Sequence, residues 1–485
     1  MGGGSWRWFW PVRRSPAPGG KKGDAGVVAG DSLDLSNAVP APGGMEKHKD
    51  ATMKKLLIIT YDFPPSLAGV RRVLKWIRYL PEFGWECSVM TVKNVRSIHR
   101  DSSPISWLSE HGVPIYRTGS LDPYRLAEIF SLARHSTKEN ITHASGVSKS
   151  LMEFLRRWIF IPDDRCGWIP FATLKGLSLI RKIRPDAILT TSYPHSAHIV
   201  GLKLKILTGV PWVADFRDAW TRNPVFFHPP TPVHKGLHCF LEKWVAARAD
   251  LLLSVSDPIT GHFRALVPRN ASRMHTLTNG YDEEEYANLK SHPPQNFRLV
   301  YTGTLYGQRT PLPFFQAVDE ILKDHPEWRP DFEIRFYAAL ENSLLSFIRE
   351  KNLDDIIHVK GLCPYPEGLQ HQMDATALLH FIGPEPNADV MMTQKVFEYL
   401  RSGRPILAMI PEGACRKMME SLGESRIIHP TDVAGIKRHL KELYEEWKAG
   451  LLVARTRAGL EFFERRHLTR RLASLLDHLI KRDQR

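Results

Sequence analysis

Short apolar runs, each closing on a polar turn and followed by a helical stretch, recur along this chain in two successive series. The first series opens with Leu56-Leu57-Ile58-Ile59-Thr60 and its loop Tyr61-Asp62-Phe63-Pro64-Pro65. Further runs follow at 87–92, 186–190, 212–215 and 251–255, and helical spacing falls at about 70–80, 171–183, 195–207 and 236–249. Ser291-His292-Pro293-Pro294-Gln295 reads as a linker, after which the pattern restarts with strands predicted at 297–301, 332–337, 356–359, 377–381 and 405–410. Strands that alternate with helices cannot pair by hairpins, so each series predicts a parallel sheet covered on both faces. The expected fold class is α/β, with two Rossmann-like domains facing each other across a cleft at 53–290 and 297–455.

Composition narrows the function classes. Hydrophobic residues make up 43% of the 485 and charged residues 24%, which suits a globular chain with two sizeable cores. The five cysteines, Cys87, Cys166, Cys239, Cys363 and Cys415, are scattered without CxxC spacing, which fits a reducing cytosol better than a disulfide framework or zinc site. No apolar run approaches the roughly 20 residues needed to span a bilayer. Residues 1–52, rich in Gly, Pro, Ala and Ser, read as a disordered extension that lacks the apolar core of a signal peptide. The net charge of +14 suits nucleic acid, an anionic membrane or phosphorylated ligands. The basic residues are spread rather than clustered with aromatics, so a nucleic-acid partner is not expected.

Several strand ends carry residues suited to chemistry. Thr393 to Ser402 reads as a short helix with a Val396-Phe397-Leu400 stripe, stopped by Gly403 and Pro405, and it sets Lys395 and Glu398 one turn apart at a sheet edge. The loop after the first strand leads through Gly69 to Arg71 and Arg72 at a helix start, where free N–H groups suit an anion. Trp212-Val213-Ala214-Asp215-Phe216-Arg217-Asp218-Ala219-Trp220 puts Asp215, Arg217 and Asp218 at a strand end, a pattern suited to a cleft or equally to an internal salt-bridge knot. His195 and His198 lie one turn apart in Thr191-Ser192-Tyr193-Pro194-His195-Ser196-Ala197-His198, but no third metal ligand is apparent. Arg309 closes a glycine-containing loop, Tyr301 to Arg309, and Lys360-Gly361 ends another strand.

Together these segments resemble the retaining GT-B glycosyltransferases of family 4, over about 54–478. The Asp-Phe-Arg-Asp-x-Trp form is similar to one branch of that family. The resemblance implies transfer of a sugar from a nucleotide-diphosphate donor to a glycan or lipid-linked acceptor, as in surface polysaccharide or glycolipid synthesis. It implies that Glu398 holds the ribose, Arg309 and Lys395 the diphosphate, Gly69 the phosphate from the opposite side, and Lys360-Gly361 the base. Arg71, Arg72 and His195 fall on the acceptor side, and Asp215, Arg217 and Asp218 nearest the chemistry. The family's catalytic histidine role does not pass to Arg217, because a guanidinium stays protonated and cannot act as a base. Where the family has a first Glu, this chain has Val390, with Glu385 and Asp389 nearby. No Asp-x-Asp motif sits in a suitable strand-end loop, so neither metal nor cofactor is expected. The segment 456–485 is expected to cross back to the first domain, its arginines touching an anionic membrane. The competing readings are an epimerase or hydrolase of the same fold and, from another class, a basic nucleic-acid-binding protein.

Overall fold

The computed structural model describes residues 53–66, 69–93, 103–122, 154 and 158–483. The extension 1–52 lies outside the described residues, as do Leu67 and Ala68 of the first loop.

Seven strands form the first sheet: β1 (Lys54–Ile59), β2 (Trp85–Val92), β3 (Ile115–Thr118), β4 (Ala187–Ser192), β5 (Trp212–Phe216), β6 (Leu251–Ser254) and β7 (Met274–Thr276). Their order is β3-β2-β1-β4-β5-β6-β7, and every pairing is parallel. The second sheet holds β8 (Phe297–Thr302), β9 (Phe332–Tyr337), β10 (Ile357–Val359), β11 (Ala377–Phe381), β12 (Ile406–Met409) and β13 (Ile427–Ile428) in the parallel order β10-β9-β8-β11-β12-β13. The chain thus folds as two Rossmann-like domains in the GT-B arrangement. In each sheet the winding reverses beside its first strand, between β1 and β4 and between β8 and β11. Such switch points open a crevice at the carboxyl ends of the strands, because the flanking helices diverge there.

Both faces of the first sheet are buried. Trp168, Val200, Phe216 and Phe263 pack in the core on one side, and Val73, Trp76, Trp85 and Leu472 in the core on the other. Leu472 comes from the helix Arg465–Asp483, which lies against the helix Arg71–Tyr79 of the first domain. Asp477 of that helix accepts from Lys54 Nζ at 2.5 Å and from Trp85 Nε1 at 2.9 Å. Its entry is held by the turn at Tyr281, whose carbonyl accepts from Arg465 N at 2.8 Å and whose N–H donates to Phe463 O at 3.2 Å.

The helix expected at 393–402 runs Gln394–Ser402, and Gly403 stops it in the left-handed conformation with φ of 76°. Thr393 stands at its start without capping it: Thr393 Oγ1 lies 3.4 Å from His380 Nε2 instead.

Candidate active site

A cleft of about 1090 Å³ opens between the carboxyl ends of the two sheets. Gly69, Arg71, Arg217 and Asp218 line it from the first domain; Arg309, Lys395 and Glu398 line it from the second.

The second domain's wall is built around Tyr301, the residue before Thr302 at the end of β8. Lys395 Nζ donates to Tyr301 Oη at 2.7 Å and lies 4.1 Å from the ring centroid. Burial holds the Lys395 ammonium well below the usual lysine pKa; the Arg309 charge pushes it the same way and Glu398 opposes. Arg309 is 5% exposed, and its Nε and Nη2 have no hydrogen-bond partner. Among the described residues, no carboxylate comes within ion-pair distance of either cation. A buried guanidinium with two unfilled donors is costly unless an anion stands in for water, so Arg309, with the half-buried Lys395 ammonium near it, suits a ligand with several anionic oxygens. Gly303 makes room: with φ of 111° it sits where a side chain would collide with the Lys395 ammonium.

Glu398, 6% exposed, accepts at Oε1 from Gln394 Nε2 (3.0 Å) and lies 3.1 Å from Tyr365 Oη. The Tyr365 hydroxyl is also 2.9 Å from Glu285 Oε2, so it donates to one carboxylate at a time. The Arg71 guanidinium, from across the cleft, lies 3.1 Å over the Tyr365 ring. Tyr365 carries no recognisable motif in the sequence; its role comes from residues 80 positions before it and 33 after it.

On the first domain, the three charges of Asp215-Phe216-Arg217-Asp218 separate into different jobs. Asp215 is fully buried and accepts from Arg72 Nη2 at 3.0 Å and Thr191 Oγ1 at 2.7 Å. Arg72 is turned inward, donating also to the carbonyls of Leu277 (2.7 Å) and Thr278 (2.5 Å). Among the described residues Arg217 binds only backbone: Ser192 O at 2.5 Å, Tyr193 O at 2.9 Å and the Gly69 carbonyl. It therefore ties the Gly69 turn to the loop after β4. The mutual Asp–Arg–Asp knot is not what forms; Asp215 pairs with Arg72 instead. Asp218 is exposed and faces the cleft.

His195 does not reach the cleft. It is buried, its ring stacked on Trp220 at 4.6 Å, and burial keeps it neutral with a strongly lowered pKa. Its neighbour His198 bonds Thr190 Oγ1 at 2.9 Å. Among the described residues no group of three His, Cys, Asp or Glu side chains is placed to hold a metal ion. Lys360 is exposed and Gly361 adopts φ of 74°; both stand beside the cleft wall formed by Leu362 to Tyr365, outside its lining. Val390 is buried at the cleft, and Asp389 is held by Arg222 of the first domain at 2.9 and 3.0 Å.

Residues 68–280 match the glycosyl transferase 4-like domain. No curated protein matches the chain by sequence. Among solved structures, a glycosyltransferase from Rickettsia africae superposes with a TM-score of 0.59 at 11% identity, covering 89% of this chain and 100% of that one. Sucrose-phosphate synthase from Thermosynechococcus elongatus gives 0.58 at 12% identity, covering 88% and 100%. S. aureus TarM in complex with fondaparinux, alpha-GlcNAc-glycerol and UDP gives 0.54 at 9% identity, covering 88% and 100%. These likenesses concern the fold, and the domain match concerns residues 68–280. Residues 68–280 are thus similar to a glycosyl transferase 4-like domain, set in a chain with the GT-B arrangement.

Proposed function

We propose that the cleft binds a nucleotide-diphosphate sugar and passes its sugar, with retention, to a glycan or lipid-linked acceptor on the first domain. The observation that carries this reading is the pair of uncompensated cations, Arg309 and Lys395, converging on Tyr301 at a topological switch point. A diphosphate between them supplies the missing counter-charge. Glu398 then stands within reach of the ribose, and the Gly69 turn meets the phosphate from the first domain. The TarM structure in complex with UDP is similar in fold, which favours a nucleotide ligand here.

In the reaction the anomeric carbon's bond to the diphosphate oxygen breaks, and the electron pair leaves with the diphosphate. The acceptor hydroxyl forms the new bond, and its proton leaves with the departing phosphate. Negative charge grows on the phosphate oxygens as that bond breaks, so fixed cations accelerate the step. Arg217 holds the Gly69 turn in place. Asp218 orients the acceptor hydroxyl, with Arg71 beside it.

Thermal-shift measurements with UDP-, GDP- and ADP-sugars test the donor half. One donor raises the melting temperature of the parent protein but not of Glu398→Ala or Lys395→Ala; equal stabilisation of all three proteins overturns the assignment. Turnover of that donor without acceptor at the full rate would instead support an epimerase or hydrolase.

A further inference from the structure

The first sheet's two faces differ in what they show to solvent. On one face the helix Arg465–Asp483 is laid over the helix Arg71–Tyr79. Three of its arginines answer to protein: Arg466 pairs with Glu82 (3.3 Å) and Glu284 (3.2 Å), Arg470 lies 5.5 Å over Phe83, and Arg465 is buried. This helix carries no exposed large apolar side chain among the described residues. A membrane contact made through it, as the sequence suggested, would lack an anchor.

The opposite face is different. It is covered by the successive helices Ile169–Ile183, Ser196–Thr208 and Pro232–Arg248, each in contact with the next. On the third helix Val233, Leu237, Phe240 and Trp244 follow one another by four, three and four residues, which places them on one stripe. That stripe points outward: the four are 79%, 41%, 59% and 39% exposed. Leu174 of the first helix and Leu207 of the second are also exposed. A helix of a globular protein normally buries such a stripe.

The charges on this layer are one-sided. The three helices contain three, two and three lysines or arginines, against one acidic residue, Glu242. Glu242 is itself 1% exposed and accepts from Thr221 and His262. The outer surface of these helices is therefore apolar and basic with no acidic side chain. Lys243 and Arg248 flank the stripe of the third helix. Apolar side chains with a Trp among them, bordered by Lys and Arg, are what an interfacial helix needs to lie on an anionic bilayer. A second copy of the chain is a poorer occupant, since a two-fold contact would bring the same basic residues together.

We propose that the layer formed by these three helices, led by the Val233–Trp244 stripe, docks on an anionic membrane surface. The loop that runs from Arg217 to the start of the third helix lines the cleft through Asp218, Val225 and Phe226. Docking on this face thus sets the cleft's first-domain wall next to the lipid headgroups, where a lipid-linked acceptor presents its sugar. The inference deepens the acceptor half of the reading above. Its test involves no turnover, so its failure leaves the donor assignment untouched.

The test is vesicle flotation of the full chain. Vesicles of equal parts phosphatidylglycerol and phosphatidylcholine are compared with pure phosphatidylcholine. The parent protein floats with the anionic vesicles and is released by added salt. Leu237→Ser/Phe240→Ser/Trp244→Ser abolishes flotation, and Lys243→Glu/Arg248→Glu weakens it by about fivefold or more per residue. Arg466→Glu/Arg470→Glu, on the opposite face, leaves it unchanged. Melting temperatures within a few degrees of the parent show that the variants are folded. Quenching of Trp244 by brominated lipid gives a second readout, lost in Trp244→Phe. Flotation that survives the Leu237/Phe240/Trp244 variant overturns the proposal. So does a parent protein that ignores anionic vesicles, or a dimer in solution that this same variant turns into monomer.

Discussion

The ammonium of Lys395 donates to the hydroxyl of Tyr301 at 2.7 Å and pairs with no carboxylate among the described residues. Replacing it by Met keeps the length of the side chain and removes the charge. If the diphosphate leaves between Lys395 and Arg309, Lys395→Met lowers kcat about 10²–10³-fold, as loss of one charge-stabilising group does elsewhere. Steady-state kinetics with the donor found in the thermal-shift screen decide it; a change in KM alone would place Lys395 in binding and not in the chemical step.

The lowered pKa of Lys395 has a sign that can be measured. A bound diphosphate favours the charged form, so binding draws a proton onto the lysine. Affinity is therefore fully present below the lysine's pKa in the free enzyme and falls as pH rises through it. Calorimetry of nucleoside diphosphate binding in buffers of different ionisation enthalpy should show proton uptake, and Lys395→Met should abolish it.

Asp215 and Arg72 distinguish a structural from a catalytic carboxylate. Both are buried, and Arg72 would be left without a counter-charge in Asp215→Ala. Breaking such a pair costs about 3–5 kcal/mol, so urea unfolding should show a loss of that size. A folded, fully stable but inactive variant would return Asp215 to the chemistry.

Tyr365→Phe removes one hydroxyl between Glu285 and Glu398 while leaving the ring under Arg71. The loss of about 1 kcal/mol expected for one hydrogen bond weakens donor binding roughly fivefold with little change in melting temperature. Unaltered donor affinity would mean that Glu398 is oriented by Gln394 alone.

Period and punctuation carried most of the fold. Helices expected at 70–80, 171–183 and 195–207 form at Arg71–Tyr79, Ile169–Ile183 and Ser196–Thr208, because each is bounded by glycine, proline or a strand. The strands β3, β7 and β13 were not legible: all three are edge strands, four, three and two residues long, and too short to show a period. Residue type alone singled out Lys395 and Arg309, and the fold brings both to the cleft wall. The site was not legible where meaning depends on what lies opposite. Arg71 and Arg72 are adjacent in sequence, yet one lies on Tyr365 in the cleft and the other is locked to Asp215. Neighbouring residues on a helix face different directions, and only the packed structure says which partner each one meets.

The helix Arg465–Asp483 gives the first domain Leu468, Leu472 and Leu476, all within its core. That core therefore stays unfinished throughout synthesis of the second domain, and closes only when residues far down the chain have left the ribosome. The first domain should not be obtainable as a stable fragment ending near the linker. The order of translation thus makes completion of the first domain wait for synthesis of the second.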